Sequence, residues 1–175
     1  MAKHKLVKKR QVKPMGYDRQ KAVAYAHKWA FERNPAYTDF DPMGGDCTNF
    51  ISQCLYAGSG VMNYTPVMGW FYISLQKRTP AWSGVMFLYN FLVSNKGAGP
   101  YGTELPLSHA VIGDVIQLSW DGVRYTHSLL VVQAGTPPAL NNILITCHTT
   151  DSDNRPLSSY SQPFHRLIHI IDARS

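Results

Sequence analysis

The hydrophobic pattern of this chain changes period near its middle, and that change sets the class of fold open to it. Up to about residue 95 apolar side chains recur at three- to four-residue spacing. After the breaker-rich stretch Lys96-Gly97-Ala98-Gly99-Pro100 they gather into short runs between turn residues. Ala22, Tyr25, Ala26, Trp29 and Ala30 share one face of a helix predicted over 18–31, which Asp18 begins and Asn34-Pro35 stops. A second helix is predicted to start after Asp46 and to end at Gly58 in a left-handed cap, with Cys47, Phe50, Ile51, Cys54 and Leu55 on one face. A third is predicted over 83–94, turning Val85, Leu88, Phe91 and Leu92 inward.

Strands are predicted over 115–120, 123–133, 143–148 and 164–171. Asp121-Gly122 reads as a two-residue hairpin turn, and 149–156 as a polar loop. The unbroken apolar run Leu129 to Val132 predicts burial on both faces of a sheet. Helices first and an antiparallel meander second make an α+β domain.

Charge divides the chain differently. The net charge is +6, yet six of the 17 Lys and Arg residues lie in the first 16 positions, leaving 11 to balance 11 acids. The sequence therefore reads as a basic tail over 1–16 and one folded domain over 17–175. The tail is suited to contact anionic surfaces through counterion release. The balanced domain gives no case for specific nucleic-acid binding. No apolar run follows the basic start, so it does not read as a signal peptide, and no run reaches the roughly 20 apolar residues of a membrane span. Cys47, Cys54 and Cys147 have the spacing of neither a disulfide framework nor a zinc site.

Gly44-Gly45-Asp46-Cys47-Thr48-Asn49-Phe50 is the sharpest local feature. Two glycines permit unusual backbone just before a helix. Asp46 can cap that helix, which puts Cys47 in its first turn. Unpaired N–H groups there favour an anion, so they favour the thiolate and can stabilise an oxyanion. The plain alternative is an unreactive cysteine that begins an apolar stripe.

Among seven histidines, His127 stands out at the start of an apolar strand, placed to meet a helix N-terminus; a hydrogen-bonded structural histidine is the alternative. His148 ends the next predicted strand and can orient the imidazole of His127. A metal site of Cys47, His127 and His148 is a rival, but thiolate activation is the simpler use of the glycine-flanked helix start.

These residues resemble the putative amidase domain of Gram-positive bacteria, a branch of the papain-like group that includes the NlpC-type and CHAP-type cell-wall peptidases. The resemblance runs from about Tyr17 to Ile171. It rests on Tyr17-x-Arg19, the Trp29 helix, Asn34-Pro35-x-Tyr37, the stretch Gly44 to Gln53 (GGDCTNFISQ), Gly113-Asp114-Val115 and Thr126-His127-Ser128. It implies a papain-like fold with the nucleophile helix packed on an antiparallel sheet. It implies a cysteine hydrolase that cleaves a peptide or peptidoglycan-type amide without metal or organic cofactor, secreted or associated with the cell wall. His148 takes the third place by analogy, with Asp151 and Asn49 as other options. Gln53 can polarise a carbonyl and Tyr37 can bond an oxyanion or line the groove; packing is the alternative for both. A non-catalytic peptide- or glycan-binding module on the same fold is the rival function.

Overall fold

The computed structural model describes residues 13–161 and 163–175. Four helices, α1 (Arg19–Trp29), α2 (Cys47–Ser59), α3 (Pro80–Ser83) and α4 (Val85–Ser94), precede six strands. The strands are β1 (Gly99–Leu105), β2 (Val115–Ser119), β3 (His127–Gln133), β4 (Leu144–Cys147), β5 (Ser152–Pro156) and β6 (Phe164–Arg174). They form one sheet in the order β1-β6-β2-β3-β4-β5, every neighbouring pair antiparallel. The α+β expectation holds.

Both faces of the sheet are buried, as the apolar run in β3 predicts. Val115, Leu130, Ile168 and Ile170 join the core under the helices with Phe50, Ile51, Trp70, Trp82 and Leu88. Their neighbours Ile116, Leu129, Val131 and Leu167 point the other way, into a second cluster with Ile145, Cys147 and Leu157.

Several expectations are corrected. Helix α2 runs through Gly58 to Ser59, and the left-handed cap is Gly60, with φ 66°. Gly58 serves a close approach instead: a Cβ there would stand 2.5 Å from the Tyr17 ring. The 83–94 helix is α4 alone, separated from the short α3 by extended Gly84. Asp121-Gly122 is not a two-residue hairpin, since β2 stops at Ser119 and β3 starts at His127. There the Asp121 carboxylate organises a longer loop, accepting from the Ser119 hydroxyl (2.9 Å) and from the N–H groups of Val123 (2.8 Å) and Arg124 (2.7 Å). Strands β1 and β5 carry no alternating apolar pattern and exist by pairing with β6 and β4. Residues 1–12 of the basic tail lie outside the described residues. At its other end the tail assignment includes residues bonded to the domain. The Met15 N–H donates to Ala173 O at 2.8 Å, and Lys13 O accepts from the Ser175 N–H at 3.0 Å.

Two of the sequence motifs are partners in space. The Tyr17 hydroxyl donates to Gly113 O (2.9 Å), and Arg19 donates to Ile112 O (2.8 Å), Asp114 Oδ1 (2.7 Å) and Ile170 O. Asp114 is fully buried and also accepts from the N–H groups of Val111 (3.1 Å) and Ile170 (3.1 Å). Its carboxylate thus ties the start of α1 to β2 and β6. Asp114→Ala leaves a partly buried guanidinium without its counter-charge and two amides without their carboxylate acceptor, and should cost about 3–5 kcal/mol. Arg19→Ala should cost at least as much, because the carboxylate it leaves without a counter-charge is fully buried, whereas solvent reaches the guanidinium (24% exposed) that Asp114→Ala leaves behind. Urea unfolding of the two variants measures the difference.

Candidate active site

Cys47 is the first residue of α2 and is buried (7% exposed). The chain arrives through Gly44 and Gly45, at φ 109° and 124°, a region that favours glycine. A Cβ on Gly45 would also meet Thr149 Oγ1 at 3.1 Å, so the loop after β4 presses on this entry. The first turn of α2 is bonded to the start of β3: Thr48 Oγ1 lies 3.0 Å from Ser128 Oγ. The Ser128 N–H, the Thr48 N–H and the Thr48 hydroxyl (3.8 Å) all favour a negative sulfur. Burial nevertheless outweighs them and raises the thiol pKa, with the neighbouring Asp46 carboxylate adding to the rise. The helix start alone therefore does not hold Cys47 as a thiolate, contrary to the sequence expectation.

His127 opens β3, one residue before the serine whose N–H meets the sulfur. It is 8% exposed, and neither ring nitrogen makes a hydrogen bond among the described residues. Its ring centroid is 6.0 Å from that of Tyr160. Burial, helped by the Arg155 guanidinium, pushes the imidazole pKa down to about 4. Arg155 lies over the Tyr160 ring at 4.0 Å, and the Tyr160 hydroxyl is 3.4 Å from Cys147 Sγ. Thr48, Ser128, Arg155 and Tyr160 thus join the setting of Cys47 and His127. Sequence reasoning missed all four. Thr48 and Ser128 lie inside the quoted motifs, where adjacency to Cys47 and His127 was a usable signal; Arg155 and Tyr160 sit in polar sequence with none.

His148 has other partners than His127. Its Nδ1 is 2.6 Å from Asp46 Oδ2, its Nε2 is 2.8 Å from Trp29 O, and its ring stacks on Phe50 at 3.8 Å. Both nitrogens face oxygen atoms that act as acceptors, so neither remains for another imidazole. A carbonyl oxygen cannot donate, so Nε2 carries a hydrogen. The orienting role expected of His148 is thereby replaced by a structural one.

Asp46 caps α2 by position only. Its side chain makes no cap bond and instead accepts from the Phe40 N–H (2.9 Å) and Asn49 Nδ2 (2.8 Å). Asn49 also donates to Thr38 O and accepts from Trp82 Nε1 (2.8 Å). Asp151 is held by both terminal nitrogens of Arg33, at 2.9 Å each. Gln53 accepts from the Tyr25 hydroxyl (2.7 Å), and Tyr37 stacks on Trp82 (5.7 Å). These five supporting candidates therefore form the frame around the helix start; none is bonded to Cys47 or His127. No group of three or more His, Cys, Asp or Glu side chains among the described residues is placed to hold a metal ion. No helix among them is long and apolar enough to cross a membrane.

Two measurements check these assignments. His148→Ala removes a stacked, doubly bonded ring that is 1% exposed and leaves the Asp46 carboxylate buried without its partner. It should lower unfolding free energy by about 3 kcal/mol in urea titration. His127 is the pH-sensitive member. Its folded pKa, about 4, lies below the ordinary imidazole value of 6.5, so the unfolded chain binds the extra proton first as pH falls. Its contribution is therefore intact above pH 6.5 and is lost as pH drops toward 4. The loss approaches about 1.4 kcal/mol per pH unit in the middle of that window. In His127→Gln this part of the slope of stability against pH should vanish.

The sequence model of the putative amidase domain family matches residues 16–171. The chain is also 35% identical over 168 residues to the uncharacterized protein YhbB of Bacillus subtilis (strain 168). That alignment covers 89% of this chain and 51% of the relative, so the chain spans about half of the relative's length. No solved structure matches. With nearly the whole folded region accounted for, the chain belongs to the putative amidase domain family.

Proposed function

We propose that this protein is a cysteine hydrolase of papain-like type that cleaves an amide bond in a peptide or peptidoglycan-type substrate. The observation that carries the reading is the junction of α2 and β3. Cys47 opens the helix, the Ser128 N–H faces its sulfur, and the adjacent His127 keeps both ring nitrogens clear of other described side chains. The family name supports amide hydrolysis as the reaction class. The NlpC- and CHAP-type kinship, a Gram-positive bacterial source and a cell-wall location belong to this proposal and rest on the sequence resemblance.

In this mechanism the pair rests as neutral thiol and neutral imidazole, because burial raises one pKa and lowers the other. Substrate binding brings the two side chains together and the proton passes from Sγ to His127. The sulfur attacks the carbonyl carbon while the N–H groups at the start of α2 stabilise the oxyanion. His127 then gives its proton to the departing amine, the C–N bond breaks, and a thioester remains on Cys47. His127 takes a proton from water, which attacks the thioester and releases the acid and the free thiol. The chain's own groups suffice for every step. The basic residues of the tail supply attraction to anionic polymers.

A binding module on the same fold is the second reading, and the buried neutral thiol of Cys47 is the observation that favours it. Incubation with purified peptidoglycan, followed by mass spectrometry, separates the two. Hydrolysis should release a new amine paired with a new carboxylate. Cys47→Ala and His127→Ala should each lower the rate at least ~10³-fold without unfolding the domain, and the double variant should be no slower than either alone. Binding to the polymer with no new chain ends would establish the binding module instead.

A further inference from the structure

Arg166 is a charged side chain buried in the interior without a carboxylate partner. It is 7% exposed, and no acid among the described residues lies within ion-pair distance of it. Its guanidinium is clamped between two aromatic rings, Tyr89 at 3.6 Å and Tyr125 at 4.0 Å. Nε donates to Gln117 Oε1 at 2.9 Å, and Nη2 reaches the same oxygen and Met86 Sδ (3.3 Å). The nearby Glu104 is occupied by the Tyr89 hydroxyl (2.9 Å). Nη1 has no hydrogen bond among the described residues. It is not sealed from solvent either, since the single fully enclosed polar side-chain atom without a partner there is Arg33 Nε. The Tyr125 hydroxyl is likewise unengaged among those residues, and its side chain is half-buried.

Burying a guanidinium costs several kcal/mol unless an anion or a full set of acceptors offsets it. Gln117 supplies one oxygen and the two rings supply their faces. One donor edge remains without a partner among the described residues and is not fully enclosed. The arginine is also built into the frame of the candidate nucleophile. Gln117 Nε2 donates to Ser128 Oγ (3.2 Å) and Val85 O (2.8 Å), and Ser128 Oγ meets Thr48 Oγ1 (3.0 Å). Ser128, Gln117 and Arg166 are paired in register across β3, β2 and β6. At about 4.8 Å per strand, Arg166 lies roughly 10 Å from Ser128. That is the reach of a short peptide segment.

We infer that Arg166, with the Tyr125 hydroxyl beside it, forms a carboxylate-binding subsite that positions acidic amide substrates for attack by Cys47. The subsite rests on the amide-hydrolase reading for its role, whereas its affinity for a carboxylate does not. A planar guanidinium with its other edge fixed by Gln117 offers Nη1 in a set direction, and Tyr125 adds a second donor. The Tyr89 and Tyr125 faces hold the cation in place without neutralising it, which leaves its charge for the ligand.

The test uses the full chain and two probes that differ only in charge, N-acetylalanine and its primary amide. The carboxylate should bind at least about tenfold more tightly than the amide, as a charge-assisted contact implies. Arg166→Met should abolish that preference and Arg166→Lys should keep part of it. Tyr125→Phe, which retains the ring face and so should fold normally, should weaken carboxylate binding several-fold and leave amide binding unchanged. Equal affinities in the unaltered protein, no carboxylate binding at concentrations up to about 10 mM, or a preference that survives Arg166→Met would each overturn the subsite. A parallel measurement follows alkylation of Cys47 by the N-iodoacetyl derivatives of alanine and alaninamide. A charge preference in binding together with an inert Cys47 would keep the subsite and discard the hydrolase. Rapid alkylation with no charge preference, and equal binding of the two acetyl probes, would do the reverse.

Discussion

The contact between the Asp46 carboxylate and the His148 ring is the constraint on which the candidate site depends. Asp46 precedes Cys47 by one residue and is fully buried. Through His148 it is tied to the end of β4 and, by the other ring nitrogen, to the end of α1 at Trp29 O. Through its other oxygen it holds the loop at Phe40 and the side chain of Asn49. Arg33 gathers Asp39, Asp41 and Asp151 around the same point. The first turn of α2 is thus fixed by polar contacts from three separate parts of the chain. Such a network has value only when complete, because each buried member left unpaired carries its full desolvation cost.

That frame determines what chemistry the site can do. It leaves Cys47 and His127 as the pair not consumed by structural bonds, and burial keeps both neutral. A buried neutral pair is protected from casual alkylation and oxidation. In the proposed mechanism it needs a bound substrate before a proton moves. The opposite charge states would cost solvation energy in the free protein. The row Ser128, Gln117 and Arg166 extends the same logic across the sheet. Polar side chains on three neighbouring strands satisfy one another in sequence and end at a guanidinium donor.

Much of the fold was legible in the residues. The amphipathic stripes of α1, α2 and α4 and the doubly buried run in β3 announce themselves because apolar burial imposes a period on the sequence. Strands β1 and β5 do not, since Gly-Pro-Tyr-Gly-Thr-Glu-Leu and Ser-Asp-Asn-Arg-Pro owe their extended form to partners far along the chain. Edge strands carry polar residues, and polar residues look like loops.

The sequence by itself determined the α+β class, the place of Cys47 at a helix start, the place of His127 at a strand start and the family of the domain. Each follows from local spacing or from a contiguous motif. Only the tertiary structure decided what the polar residues around them do. It gave Tyr17 and Arg19 to Gly113 and Asp114, took His148 away from His127 and gave it to Asp46, and set Asp151 against Arg33. It also brought Arg155 and Tyr160 to His127. A hydrogen bond depends on atoms meeting within about 3 Å, and that distance is set by packing of the whole sheet against the helices. Residue type states what a side chain can bond; only the fold chooses which partner it meets.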